Sequence, residues 1–361
     1  MLKPLCVVLV ALTAVCSAYA QRSPPAPAAR PLATLTLASW NLEWLSDPAT
    51  LNAADYWNRC RAHGWPNERL RPDLPFCDVY QPAGITSASE YEEKKLKPLR
   101  QSLSALSARG LDILAVEEVQ NPAALAAILP TGFRVLCFTT RPDAQNVGYA
   151  IRITSSISAT CREIVPLALE TDPEIPRPVR RGLELTATIN GVGVSLLNVH
   201  LKSGCSRGPM DSRTNDACMF LQHQAVPLER WIEERANAGR AFMILGDWNR
   251  DLNQEIRGRF PARSDGSDPT TPIVPAKVRN LFPEINDGVP RASAMSVAKV
   301  DRSAATTGCF AVLDQLAISD RFKAMLDPSS LRQGQVPARL VAGLAGASDH
   351  CALEAVLRMK R

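Results

Sequence analysis

Ala241-Phe-Met-Ile-Leu245-Gly246-Asp247-Trp248-Asn249-Arg250-Asp251 is the stretch on which the reading of this chain turns. Its five leading apolar residues have the length and composition of a buried strand, and the run stops at a glycine. Gly246 lets the backbone turn sharply. Residues at i and i+2 of an extended segment point the same way, so Asp247 and Asn249 can address one point in space. Taken alone, the segment reads equally as an Asx turn closing a strand or as part of a site.

Other segments end in the same manner. Residues 33–39 alternate with period two and predict a strand that delivers Trp40-Asn41-Leu42-Glu43 at its end. Leu96, Leu99, Leu103 and Leu106 follow helical spacing over 89–109, with Gly110 as the stop. The apolar run 111–116 predicts a buried strand ending in Glu117-Glu118, and Asn121-Pro122 opens a short helix with the amide as cap. Strands are predicted at 133–138, 147–153 and 183–189, and 192–201 carries His200 to its end. A long helix is expected over 218–237, bent at Pro227. Two late strands follow, 312–318 with Asp314 inside it and 352–357 preceded by Ser348-Asp349-His350. Strands and helices interleave, so the class is mixed α/β. Two stretches lack periodicity and predict insertions: 47–88, which holds Pro66, Pro72, Pro75 and Pro82, and the polar, proline-rich 252–303.

The bulk numbers set outer bounds. Lys and Arg number 41 against 36 Asp and Glu, a formal net charge of +5, which is compatible with a polyanionic substrate without selecting one. Lys3, the apolar run 5–15 and Ala18-Tyr19-Ala20 predict a signal peptide over 1–20, followed by a Pro/Ala-rich disordered tether at 21–31. Residues 32–361 are expected to form a single domain, because chemical groups spread from Asn41 to His350 have a common use only when brought together. No later apolar run approaches the roughly 20 residues that span a bilayer, so stable membrane insertion is not expected. Of ten cysteines, Cys6 and Cys16 fall in the signal, and the remaining even number in an exported chain, periplasmic or secreted, implies disulfides. Pairing neighbours gives Cys60–Cys77, Cys137–Cys161, Cys205–Cys218 and Cys309–Cys351.

The strand ends carry polar groups of one chemical kind: Asn41, Glu118, Asp247 with Asn249, Asp314, and Asp349 with His350. His200 joins them, so two of only four histidines fall at these places. Hard oxygen donors suit a hard divalent cation, Mg²⁺ above all and Mn²⁺ or Ca²⁺ next, and the lack of free thiolates and of an HxxxH spacing argues against zinc. Asp314 within an apolar strand demands a partner, since a buried carboxylate without one is costly. Glu117 reads as a solvated or supporting acid, and Lys202 as a phosphate contact or a solvated lysine. His63 and His223 match no motif.

Six motifs in order, Ser39-Trp-Asn41, Leu114-Ala-Val-Glu-Glu118-Val-Gln, Asn198-Val-His200-Leu-Lys, Leu245-Gly-Asp247-Trp-Asn249, Leu313-Asp314-Gln-Leu and Ser348-Asp349-His350-Cys-Ala-Leu, resemble those of the endonuclease/exonuclease/phosphatase superfamily. Trp248 stands where Phe is commoner in that family. The resemblance implies a deoxyribonuclease I-like, four-layer sandwich of two mainly antiparallel or mixed sheets flanked by helices, with metal-dependent phosphoester hydrolysis at one edge. It implies Glu118 and Asp349 as metal ligands, with Glu43 a further ligand or a surface acid. Asn41 would position metal and phosphate, and Asp247 with Asn249 would orient the attacking water. His350 would be the catalytic imidazole paired with Asp314, with His200 a second histidine. A phosphate-binding cation is expected at Arg180-Arg181, with Arg181 as the candidate. The expected activity is that of a monomeric, exported nuclease acting on DNA or RNA. A sphingomyelinase-type lipid phosphodiesterase or a phosphatase would use the same residues, and a non-catalytic binding protein could use the same scaffold.

Overall fold

The computed structural model describes residues 33–360 except 142–143, 154–156, 212–215, 259–260, 267–270, 288, 305–308, 310–311 and 342–346. The signal and tether expected at 1–31 lie outside the described residues. Among these residues there are thirteen strands: β1 (Thr34–Leu45), β2 (Ile113–Val119), β3 (Phe133–Phe138), β4 (Asn146–Arg152), β5 (Ser158–Ile164), β6 (Gly182–Ile189), β7 (Val192–His200), β8 (Ala241–Asp247), β9 (Met295–Val297), β10 (Lys299–Asp301), β11 (Asp314–Ser319), β12 (Pro337–Val341) and β13 (Ala352–Arg358). They form two sheets, a seven-stranded one in the order β10-β12-β13-β1-β2-β4-β3 and a six-stranded one in the order β5-β6-β7-β8-β11-β9. Both are mixed. β1 runs parallel to β2 and antiparallel to β13, while β7 runs parallel to β8 and β8 antiparallel to β11.

The period of two along each strand explains the layers. Leu35 and Leu37, Ile113, Leu353 and Leu357 from the first sheet share one core with Leu185, Leu196, Met243, Leu245, Leu316 and Ile318 from the second. The intervening residues face outward. Ala38, Trp40, Leu114 and Val116 pack against Leu99, Leu103 and Leu106 of the helix Lys97–Ala108. On the other side Leu197, Val199, Phe242 and Ile244 pack against Leu221, Leu228, Trp231 and Ile232 of the helix Asp216–Asn237. Central strands are therefore buried on both faces, which is why their sequences read as continuous apolar runs. Each such leucine contributes about 2 kcal/mol by burial.

The expected elements are present, with shifts that have local causes. The 89–109 helix begins at Ala88, passes through a π-helical turn at Glu92–Leu96 and stops before Gly110, whose φ is +93°. Asn121 accepts from the amide of Ala124 and Pro122 takes the first helical position. β5, β9, β10 and β12 were not expected. The 252–303 stretch is accordingly only partly an insertion, since it ends in β9, which pairs with β11, and β10, which pairs with β12. The 47–88 stretch is a set of short helices around Trp57, Phe76 and Tyr80, closed by Cys60–Cys77. All four disulfides follow the neighbour pairing: Cys60–Cys77, Cys137–Cys161, Cys205–Cys218 and Cys309–Cys351. No helix among the described residues is long and apolar enough to cross a membrane.

Candidate active site

Five rows of side chains facing the inter-sheet core change from apolar to polar at the same end of the sandwich. Leu35 and Leu37 lead to Ser39 and Asn41; Ile113 and Ala115 lead to Glu117; Val194 and Leu196 lead to Asn198 and His200. Met243 and Leu245 lead to Asp247, and the antiparallel β11 reads Ile318, Leu316, Asp314 in the same direction. Strand register aligns the ends, since His200 lies beside Asp247 and Asp247 beside Asp314. A two-residue period running through five strands thus collects these seven polar side chains in one buried patch.

Gly246 makes the turn possible. Its φ is +125°, and a Cβ there would lie 2.1 Å from the carbonyl oxygen of Val199, so no other residue fits. Trp248 is fully buried and donates to the carbonyl of Gln315, which anchors the strand end. Asn249, at φ +50°, folds back: its backbone N–H donates to Asp247 Oδ1 at 2.8 Å and its side-chain amide to Asp247 Oδ2 at 3.1 Å. The Asx-turn reading describes this segment, and the same turn brings the Asp247 and Asn249 side chains together.

Asp247 is the hub. Its Oδ2 also accepts from Asn41 Nδ2 at 3.1 Å, and Asn41 Nδ2 donates to Glu118 Oε1 at 3.3 Å, so one amide bridges a carboxylate from each sheet. His200 Nε2 stands 3.5 Å from Glu118 Oε1 and 3.6 Å from Asp247 Oδ2. His350 Nδ1 meets Asp314 Oδ2 at 2.7 Å, and its Nε2 points into the cluster, 3.8 Å from both Asp247 Oδ2 and Asp349 Oδ1. Ser348 donates to the carbonyl of Asn41 and Trp40 Nε1 to that of His350, which fixes the last motif against the first. Asn41, Glu118, His200, Asp247, Asn249, Asp314 and His350 therefore come together from positions spread over the chain.

Adjacent strand residues normally face opposite ways, yet both Glu117 and Glu118 serve this patch. The β2 ladder is interrupted between Val116 and Val119, and Glu118 takes φ +55°, which swings its carboxylate to the sheet edge. Glu43 and Trp44 are also left-handed, at φ +47° and +57°, and the N–H of Trp44 donates to Glu118 Oε2 at 3.2 Å. Such backbone clusters at sites whose geometry is fixed by their surroundings. Glu43 accepts from the backbone N–H of Asp349 at 3.1 Å and lies 3.5 Å from the buried Lys95 Nζ.

The electrostatics follow from burial. Burial alone would lower the pKa of His350, but the charge and hydrogen bond of Asp314, then Asp247 and Asp349, overcome it and raise the value to about 10. Its imidazole is therefore cationic at neutral pH. His200 is held neutral, well below its ordinary value, by burial and then by Arg180 and His350. Glu117 is fully buried and pushed far up by desolvation, then by Asp314 and Asp247; it accepts from Ser39 Oγ and is not the solvated acid its sequence allowed. Buried side-chain atoms without a hydrogen-bond partner concentrate here: Glu117 Oε2, Asn198 Oδ1, His200 Nδ1 and Asp314 Oδ1. Native interiors leave few such atoms, and four of them fall within this one patch.

One placement corrects the sequence reading. Arg181 is committed elsewhere, in ion pairs of 2.8 Å with Glu163 and 2.8 Å with Glu170. Arg180 is the arginine beside the histidines, donating through Nε to the carbonyl of His200 at 3.2 Å and through Nη2 to that of Leu201. Neighbouring residues on an extended segment diverge, and one of the acids that capture Arg181, Glu163, lies on the unexpected strand β5. Arg302 was also missed. Burial lowers its pKa, while Asp251 and Asp314 oppose that, and neither Nη1 nor Nη2 has a partner. Lys202 donates to the carbonyl of Ser203, and His223 is satisfied by Asp172 at 2.6 Å.

Among the described residues no group of three or more His, Cys, Asp or Glu is arranged to hold a metal ion. The donor chemistry nevertheless suits a hard cation: Glu118, Glu43, Asp349 and the carbonyl oxygen of the Asn41 side chain are all oxygen donors at one edge.

No protein-family model and no curated protein matches the sequence. Solved structures that are similar include ANGEL2, a 2′,3′-cyclic phosphatase, in complex with adenosine-2′,3′-vanadate, at 15% identity, covering 90% of this chain and 96% of that one, TM-score 0.46. TDP2 from Caenorhabditis elegans is similar at 15% identity, covering 90% and 74%, TM-score 0.45. An endonuclease/exonuclease/phosphatase family protein from Leptotrichia buccalis is similar at 12% identity, covering 91% and 100%, TM-score 0.44. The chain's two mixed sheets, of seven and six strands, flanked by helices, have the layered architecture that the order of its motifs led one to expect.

Proposed function

We propose that this chain is a metal-dependent phosphodiesterase that hydrolyses nucleic-acid strands. The observation that carries the reading is the His350–Asp314 pair aimed at an Asp247 carboxylate that is itself held by two amides. Asp247, fixed by Asn41 and Asn249, accepts a hydrogen bond from the attacking water and draws away its proton. His350, cationic through Asp314, places its Nε2–H where negative charge develops on the phosphoryl group or leaving oxygen. His200 stays neutral and turns Nε2 toward Glu118 and Asp247, keeping both carboxylates apart from bulk water. A divalent cation held by Glu118 with Asp349 and Glu43 would polarise the phosphoryl oxygen and lower the pKa of its water toward about 7.

The mild positive charge and Arg180 at the edge of the site favour a polyanion over a neutral lipid surface. ANGEL2 and TDP2 are compatible with that choice; one structure of zebrafish TDP2 holds a single-stranded DNA product. The test is a screen of the purified chain with Mg²⁺ or Mn²⁺, and with chelator, over plasmid DNA, RNA, sphingomyelin vesicles and phosphomonoesters. Cation-dependent cutting of DNA or RNA is expected. Intact DNA and RNA alongside released phosphocholine would transfer the site to the lipid phosphodiesterases, and no turnover of any substrate would leave only a binding protein.

A further inference from the structure

Beside the carboxylate patch lies a cleft of about 360 Å³, walled partly by the 47–88 segment and partly by the stretch leading into β6. Arg69, Arg141, Arg177, Arg180 and Lys202 line it against a single acid, Glu68, and Trp44 forms part of its wall. Two contacts join it to the catalytic cluster: Arg180 donates to the carbonyl of His200, and the N–H of Trp44 donates to Glu118 Oε2. A second cleft of about 680 Å³ shares Glu68, Pro72 and Arg141 with the first, so the two make one trough.

Five cations in so small a space repel one another. The ammonium of Lys202 shows this, since burial and then Arg180, Arg177 and Arg69 push its pKa down. A bound anion relieves that repulsion, and guanidinium forks match phosphate oxygens in geometry. A trough continuing past the first cleft suits a chain of such anions better than a single one. Large exposed apolar side chains are scattered singly, with Leu70 next in sequence to Arg69, which is not the surface a bilayer requires.

We propose that this cleft binds the phosphate of the nucleotide adjacent to the one being hydrolysed, so that the enzyme engages a polynucleotide strand rather than an isolated phosphoester. The inference rests on the function proposed above, and its test is therefore a binding measurement that needs no turnover. A short fluorescein-labelled single-stranded oligonucleotide is titrated in EDTA against the wild-type chain and Arg69→Ala/Arg177→Ala, two exposed side chains. The expected result is about tenfold weaker binding and a salt dependence shallower by about 0.7, the loss of the one phosphate contact that the two arginines share. Arg69→Lys/Arg177→Lys should restore the slope, which a folding defect would not allow. Equal affinity and slope in the alanine variant overturn the site. So does failure of the lysine variant to recover, or a loss confined to phosphatidylglycerol vesicles. Arginine-dependent binding with no subsequent cutting on adding Mg²⁺ would instead remove the catalytic reading and leave the cleft standing.

Discussion

Asp247 and Arg250 lie three residues apart, and each is 1% exposed, yet they live in opposite surroundings. Arg250 is closed: Nε meets Glu255 at 2.7 Å, Nη1 donates to the carbonyl of Cys205 at 2.8 Å and Nη2 to that of Gly208 at 2.6 Å. Glu255 in turn accepts from the amides of Leu281 and Phe282. Charge there is neutralised inside the protein and every strong donor has its acceptor. Asp314 has His350 at 2.7 Å, but Asp247's own contacts to the imidazoles of His200 and His350 are 3.6 and 3.8 Å, and atoms without a hydrogen-bond partner lie on Glu117, Asn198, His200 and Asp314 around it. A buried ionic group marks a site only when its account of partners is incomplete, not simply because it is buried.

The sharpest way to break this contrast is to alter both members. Asp247→Asn and His350→Ala should each lower kcat/KM on DNA or RNA by about 10²- to 10⁴-fold, measured beside wild type in Mg²⁺. Unchanged activity in both variants sinks the catalytic assignment. Arg250→Met should behave in the opposite sense, since it strands the buried Glu255 carboxylate. A loss of about 3–5 kcal/mol is expected in denaturant unfolding. A stability loss below about 1 kcal/mol would mean that the two regions do not differ as described. Next in size, Cys60→Ser/Cys77→Ser should cost about 3 kcal/mol on the loop-entropy account and loosen the 47–88 wall of the trough. Proteolysis confined to that segment would be the matching observation.

The smallest effect tests whether a raised carboxyl pKa is by itself a mark of function. Glu229, on the helix Asp216–Asn237, is lifted from 4.5 to about 8 by burial and then by Glu233, Asp287 and Glu284. Below pH 4.5 both folded and unfolded chains hold that proton and nothing is lost. As pH rises toward 8 the unfolded chain releases it first, so stability falls through that window. Glu229→Gln should match wild type at pH 4 and melt about 2 °C higher at pH 9, allowing for its partial exposure. Catalysis should be unaffected at either pH.

Much of the architecture was legible because the core is built by repetition. Runs such as Phe242 to Leu245 and the alternation at Thr34 to Ser39 carry the strand signal in themselves, and the polar residue ending each run marks the edge where the site lies. What escaped was set by pairing rather than by local pattern. β5 is only half-buried and its inner row, Ala159, Cys161 and Glu163, is short and ends in a charge, and β12 is short and opens with Pro337. The choice between Arg180 and Arg181 depends on Glu163 and Glu170, whose positions follow from strands that were not foreseen. Glu118 reaches the site through an irregularity in β2 that two adjacent glutamates do not announce. Glu117 had the signal of its row, Ile113, Ala115, Glu117, and was outweighed by its neighbour.

Two of the disulfides do more than close loops. Cys137 on β3 and Cys161 on β5 belong to edge strands of different sheets, and Cys309 precedes β11 while Cys351 precedes β13, again one from each sheet. The sandwich is riveted through its middle layer at one flank and beside His350. Sliding or parting of the sheets, the motion that would let solvent flood the catalytic patch, is covalently forbidden at both places. Breathing is left to the outer helices and the surface segments, so a protease meets its first yielding backbone there while the two sheets stay in register.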